Sequence, residues 1–154
     1  MTYDCRLTTY DLVLRAGIST GKELVLILRQ ILAAMKEKDD EMIRRFKQFA
    51  LSIIRFTMKF PKEPEYKTIR DQMIDSATSS AANYRAASRG KSNADFINKL
   101  KITEEELDET MFWLELTVGV SEEWRPEVAP LWKEANELIS ITVASINTSR
   151  QKKK

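Results

Sequence analysis

Apolar residues recur at steps of three and four along most of this chain, which is the spacing of one helix face. The clearest stretch runs from Tyr66 to Leu116, where two such patterns flank a break at Arg89–Ser92. The first pattern is built around small residues and comprises Ile69, Met73, Ser76, Ser80, Asn83 and Ala87. Bulky residues dominate the second: Phe96, Leu100, Thr103, Leu107, Met111 (or Thr110), Leu114 and Val118. A small-residue helix turning back onto a large-residue helix predicts a helical hairpin.

The small-residue stripe carries polar side chains at Ser76, Ser80 and Asn83. On a buried helix face, such hydroxyl and amide groups need hydrogen-bond partners. We therefore interpret these three residues as a structural seam between helices. A catalytic serine would need a base, and the chain contains no histidine.

Periodic segments on both sides of the hairpin complete a set of four core helices. Residues 41–59 form the first, with its apolar face at Met42, Phe46, Phe49, Ile53, Phe56 and Phe60, and the last starts near Pro130. An amphipathic helix over residues 21–36 precedes them, with Leu24, Ile27, Leu28, Ile31, Leu32 and Met35 on one face. The pattern predicts an all-α, up-down antiparallel four-helix bundle with an additional N-terminal helix.

This prediction divides the chain into an N-terminal extension (1–38), a bundle (39–150) and a basic tail (151–154). The charged run at Lys38–Asp40 favours a bend there, because Asp39 or Asp40 could cap a new helix. The sequence pattern leaves open whether helix 21–36 is continuous with the first core helix. Residues 1–18 give no functional signal.

Composition agrees with one helical domain. The chain has 154 residues, of which 43% are hydrophobic and 31% charged, with four glycines and four prolines. Its single cysteine, Cys5, cannot form an internal disulfide, which favours a reducing, cytoplasmic compartment. The densest apolar run, Leu24–Leu28, is too short to span a membrane. The net charge of +2 does not by itself indicate nucleic acid.

Acidic residues cluster on the third core helix, at Glu104, Glu105, Glu106, Asp108, Glu109 and Glu115. A di-iron bundle needs Glu-x-x-His on two helices, and the absence of histidine removes that site in its usual form. A calcium or magnesium site made of carboxylates alone stays open, but the run has no loop signature that favours one. We interpret the run as a solvated or partner-facing surface, and we predict no metal, no cofactor and no enzymatic activity.

The hairpin also carries a recognisable order of residues: Gln72, Ser76–Ala77, Ser79–Ser80, Ala82–Arg85, Ser92, Asp95–Phe96, Lys99, Glu105, Glu109 and Trp113–Leu116. This order resembles the four-helix bundle family also known as the large-subunit ribosomal RNA intervening-sequence protein family, over roughly residues 39–150. The resemblance implies a ring-forming homo-oligomer, most commonly a pentamer. A related group, the accessory variability proteins of diversity-generating retroelements, implies RNA or DNA and a reverse transcriptase as partners. Ala86 departs from the glutamate common in the family.

Basic and apolar residues outside the main stripes are the candidate contact residues. The nucleic-acid hypothesis rests on Arg44, Arg45, Lys47, Arg55, Arg85, Arg89 and Lys91. The oligomer-interface hypothesis rests on Ile43, Ile54, Met58, Ile97, Phe112 and Trp113. Two functions remain open: an oligomeric binding protein for nucleic acid or a reverse transcriptase, and a protein-interaction scaffold that binds no nucleic acid.

Overall fold

A computed structural model of the protein describes residues 21–151, and within them it shows four long α-helices and no strand. The helices are α1 (Gly21–Thr57), α2 (Pro64–Ala87), α3 (Asn93–Val120) and α4 (Arg125–Gln151), with a short 3-10 helix at Glu122–Trp124 before α4. The chain divides into two compact units between Asp40 and Glu41. Cys5, residues 1–18 and the tail lysines 152–154 lie outside the described residues.

Contacts between neighbouring helices define the topology. Phe46 stacks on Tyr84 and Phe60 packs against Tyr66, so α1 and α2 run in opposite directions. The hydroxyls of Ser76 and Thr110 lie 2.9 Å apart in the hairpin of α2 and α3.

The last helix, α4, completes the four-helix bundle by packing against both α3 and α1. Trp132 of α4 donates to Glu115 of α3, and Asn93 at the start of α3 donates to the carbonyl of Ser149 near the end of α4. Arg45 of α1 pairs with Glu134 of α4, and Lys59, two residues after α1, pairs with Glu127 of α4, so α1 and α4 run in opposite directions. The second unit is therefore an all-α, up-down antiparallel four-helix bundle, as the sequence predicts.

The apolar stripes predicted from the sequence form the core of this bundle. Phe46, Ile53, Met73, Leu107 and Leu138 are fully buried. At one end of the bundle the core is aromatic: Trp124 lies edge-on to Phe56, Phe60 and Tyr66 and donates its indole N–H to the Tyr66 hydroxyl at 3.2 Å. The 3-10 helix between α3 and α4 therefore helps to close the bundle, because it places Trp124 over this end.

The structure decides one helix boundary that the sequence left open and moves another. Helical structure is continuous from Gly21 to Thr57, so residues 21–36 are part of α1 rather than a separate element. The last helix begins at Arg125, and Pro130 lies inside it instead of at its start. Both Pro126 and Pro130 are exposed, so water can satisfy the carbonyl that Pro130 cannot bond.

Candidate nucleic-acid interface

The outward face of α1 carries three exposed cations, Arg44, Lys47 and Arg55. The buried residues Phe46, Phe49, Ile53 and Phe56 fix the inward face of this helix. Arg44 and Arg55 are eleven residues apart, close to three full turns, so they point away from the core in the same direction. None of the three side chains forms an ion pair within residues 21–151. The helix therefore leaves these charges available at its surface.

Arg45 differs from these three residues. Its guanidinium donates two hydrogen bonds to Glu134, at 2.7 and 2.8 Å, and a third to Glu137 at 2.6 Å. Hydrogen bonding to Glu134 is the largest influence that holds the pKa of Arg45 above its ordinary value, and it outweighs the opposing effect of burial. Arg45 thus joins α1 to α4, so the candidate phosphate-contacting set is smaller than the sequence suggested.

The last turn of α2 and the turn between α2 and α3 supply the other candidate cations, Arg85 from the helix and Arg89 and Lys91 from the turn, all exposed. Gly90 makes this turn compact: a Cβ there would lie 3.0 Å from the Ala87 carbonyl oxygen and 3.3 Å from the Phe96 nitrogen. After the turn, the hydroxyl of Ser92 accepts the backbone N–H of Asp95 at 3.1 Å and caps α3.

These cations share one end of the bundle. The rings of Phe46 and Tyr84 stack at 4.0 Å and 14°, so Lys47 and Arg85, the next residue in each helix, leave the bundle at the same level. The C-terminal end of α4 lies here too, because Asn93 binds the Ser149 carbonyl at 3.1 Å. We call this surface the basic end and define it as Arg44, Lys47, Arg85, Arg89 and Lys91. Arg55 lies about 12 Å further along α1 than Lys47, the nearest member of the basic end on that helix.

The predicted seam lies between α2 and α3. Ser76 and Ser80 are buried and Asn83 is half-buried. Ser76 shares a hydrogen bond with Thr110, whereas Ser80 donates to the Ala77 carbonyl of its own helix at 2.8 Å. Asn83 donates to the Ser79 carbonyl at 3.0 Å. No buried side-chain polar atom in the part of the chain that the structure describes lacks a partner. The buried polar groups of the seam all have hydrogen-bond partners, so the seam serves helix packing and offers no unpaired group for chemistry.

The candidate interface residues differ in their exposure to solvent. Met58 and Phe112 are 78% and 53% exposed, while Ile43, Ile54, Ile97 and Trp113 are half-buried. Leu116 and Val120 are also exposed and continue from Phe112 at steps of four, which makes an apolar stripe on α3. Sequence reasoning missed these two residues, although their spacing from Phe112 was a usable signal.

Residues 21–151 offer neither a metal cluster nor a membrane span. This part of the chain brings no three acidic, cysteine or histidine residues together in a way that could hold a metal ion. It also has no helix with the length and apolar content needed to cross a membrane. It does contain a groove between α3 and α4, lined by Glu115, Val118, Arg125, Val128, Ala129 and Trp132.

Comparison with known proteins gives a family match and a structural match. The family model described as 23S rRNA-intervening sequence protein matches residues 38–144. A crystal structure of a protein of unknown function from the S23 ribosomal protein family of Bacteroides thetaiotaomicron VPI-5482 is 30% identical, with a TM-score of 0.66. That similarity covers 71% of this chain and 98% of the other. A search of curated proteins finds no match.

Proposed function

Because this chain belongs to the 23S rRNA-intervening sequence protein family, we propose that it is a non-enzymatic, oligomeric helical-bundle protein that binds RNA through its basic end. One observation carries the proposal: five exposed cations from α1, the end of α2 and the α2–α3 turn lie at the same end of the bundle without ion-pair partners in residues 21–151. The proposed location is the cytoplasm, where ribosomal RNA is found.

The charges at the basic end suit a backbone contact better than base recognition. Arginine and lysine side chains neutralise phosphates, and this contribution to affinity is independent of sequence and falls steeply with salt. Tyr84 is the residue before Arg85, but its ring stacks on Phe46 and is therefore engaged in packing between α1 and α2. Binding should therefore depend on RNA shape and charge rather than on one base sequence.

Assembly would make weak sites effective. A net charge of +2 predicts weak RNA binding by one chain. In a homo-oligomer, which we propose to be a pentamer, the basic end would repeat around an axis, and several weak contacts would add avidity without a strong single site.

Charge reversal at the basic end tests this function. Arg44→Glu with Lys47→Glu should weaken binding to a 23S rRNA stem–loop and lower the salt dependence of log Kd by about one unit for each phosphate that the protein no longer neutralises. The matched control is Lys62→Glu with Lys133→Glu, which makes the same charge change at exposed positions outside the basic end. An equal decrease in affinity in both variants, or no decrease in the first, would contradict a site at the basic end.

The second candidate function is a protein-interaction scaffold. It is favoured by the exposed apolar stripe of Phe112, Leu116 and Val120, which is unusual on a surface that meets only water. Phe112→Ser with Leu116→Ser should then abolish capture of a protein partner of different sequence while RNA binding stays unchanged, whereas under the first hypothesis Phe112 contacts only another copy of this chain.

A further inference from the structure

The first unit of the chain presents a large apolar surface on α1. Leu28, Ile31 and Leu32 are 49%, 51% and 64% exposed, and Val25 is 50% exposed. Single exposed leucines are ordinary on protein surfaces, but a contiguous apolar face on one helix usually marks an interface. Residues 22–37 also precede the residues matched by the family, which begin at residue 38. This surface is thus an addition to the family's bundle.

The pattern of this surface is that of an associating helix. Leu24, Leu28 and Ile31 follow the four-three spacing of a coiled-coil seam. Apolar residues also flank the seam on both sides: Val25 and Leu32 on one side, and Ile27 and Ala34 on the other. Such a face is wider than contact with a single helix requires, because a two-stranded seam needs only its central positions. Each helix can therefore contact two neighbours.

Charged residues border the apolar face with opposite sign. Lys22, Arg29 and Lys36 recur every seven residues beside Val25 and Leu32. Glu23, Gln30 and Glu37 recur at the same interval on the other border, beside Ile27 and Ala34. A basic border and a polar-acidic border on one helix make that helix complementary to a copy of itself.

The arrangement of these borders selects a direction. Parallel helices bring the basic border of one copy beside the acidic border of the next, whereas antiparallel helices bring like borders together. We propose that residues 22–37 form a parallel bundle with the same segment of more than two copies of this chain, and so hold the oligomer together. The inference rests on the oligomeric part of the proposed function and is independent of RNA binding.

Substitutions in the full-length chain test the interface. Leu28→Glu with Ile31→Glu should reduce the mass measured by light scattering at micromolar concentration from that of an assembly of more than two chains to that of one 17.8 kDa chain. Leu26→Glu with Ala33→Glu is the matched control, because these exposed positions lie on the opposite face of the same helix. It adds the same charge and should leave the mass unchanged. Circular dichroism and a cooperative thermal melt should show a folded bundle in both variants.

Two results would overturn the interface. A wild-type chain that is monomeric would remove both this inference and the oligomeric part of the proposed function. A wild-type oligomer that keeps its mass in the Leu28→Glu, Ile31→Glu variant would remove this inference alone, since a different surface would then hold the copies together.

A single charge change tests the direction. In a parallel bundle, Glu37→Lys places a cation beside the basic border of the neighbour. The dissociation constant of the assembly should therefore rise about twofold for each pair of borders. Adding Lys36→Glu to Glu37→Lys restores an opposite-charge pair and should recover most of the original stability of the assembly. In an antiparallel bundle, Glu37→Lys would instead replace a contact between like acidic borders and strengthen assembly, which would contradict the parallel arrangement.

Discussion

The two halves of α1 have the same kind of amphipathic pattern and opposite exposure. In residues 41–57, Phe46 and Ile53 are fully buried among side chains of the bundle. In residues 22–34, Leu28 and Ile31 are half exposed. The periodicity of apolar residues therefore specifies which face of a helix avoids water, but it does not specify whether the same chain or another chain covers that face.

The prediction with the largest expected effect compares the same substitution, isoleucine to alanine, in the two halves of α1. Ile53→Ala leaves a cavity in the core and should lower the free energy of unfolding of the bundle by about 2–5 kcal/mol. Ile31→Ala removes the same atoms from an exposed position and should change it by no more than about 0.5 kcal/mol. Denaturation at low protein concentration, where copies are separate, measures both. A cost at Ile31 similar to that at Ile53 would show that residues 22–34 belong to the chain's own core.

A smaller version of the contrast lies within the second half of α1, between Arg44 and Arg45. Arg45→Met leaves Glu134 and Glu137 without their cation and should destabilise the bundle by about 1 kcal/mol, a modest cost because the three side chains are 32% to 48% exposed. Arg44→Met should change stability by less than about 0.5 kcal/mol and should weaken RNA binding. Thermal melts and RNA titrations of the two variants separate the roles. Identical behaviour in both assays would contradict the division between a structural and a surface arginine.

Much of the fold could be predicted because its signals are local. The small-residue stripe of α2 and the bulky stripe of α3 lie on opposite sides of a glycine turn, and together they identify the hairpin. The register between distant helices could not be predicted in this way. Arg45 and Glu134 are 89 residues apart, and Trp124 and Tyr66 are 58 apart. No sequence pattern distinguishes Arg45 from Arg44 until α1 and α4 are placed side by side.

The candidate site follows the same division. The exposure of Arg85, Arg89 and Lys91 could be expected, because they surround a turn. Their common level with Lys47 depends on the stacking of Phe46 on Tyr84, which is a tertiary contact. The stripe from Phe112 to Val120 was only partly predicted. Phe112 was identified as a single apolar residue away from the main seam, and the spacing of four that leads on to Leu116 and Val120 was not used.

Hydrogen exchange as a function of protein concentration tests the central contrast most directly. Amides of residues 46–56 should be protected equally at low and high concentration, because the bundle of the same chain covers them. Amides of residues 24–34 should exchange quickly in dilute protein and become protected as concentration rises, because other copies cover them. Protection of residues 24–34 that does not depend on concentration would contradict the account, as would rapid exchange of these residues at every concentration.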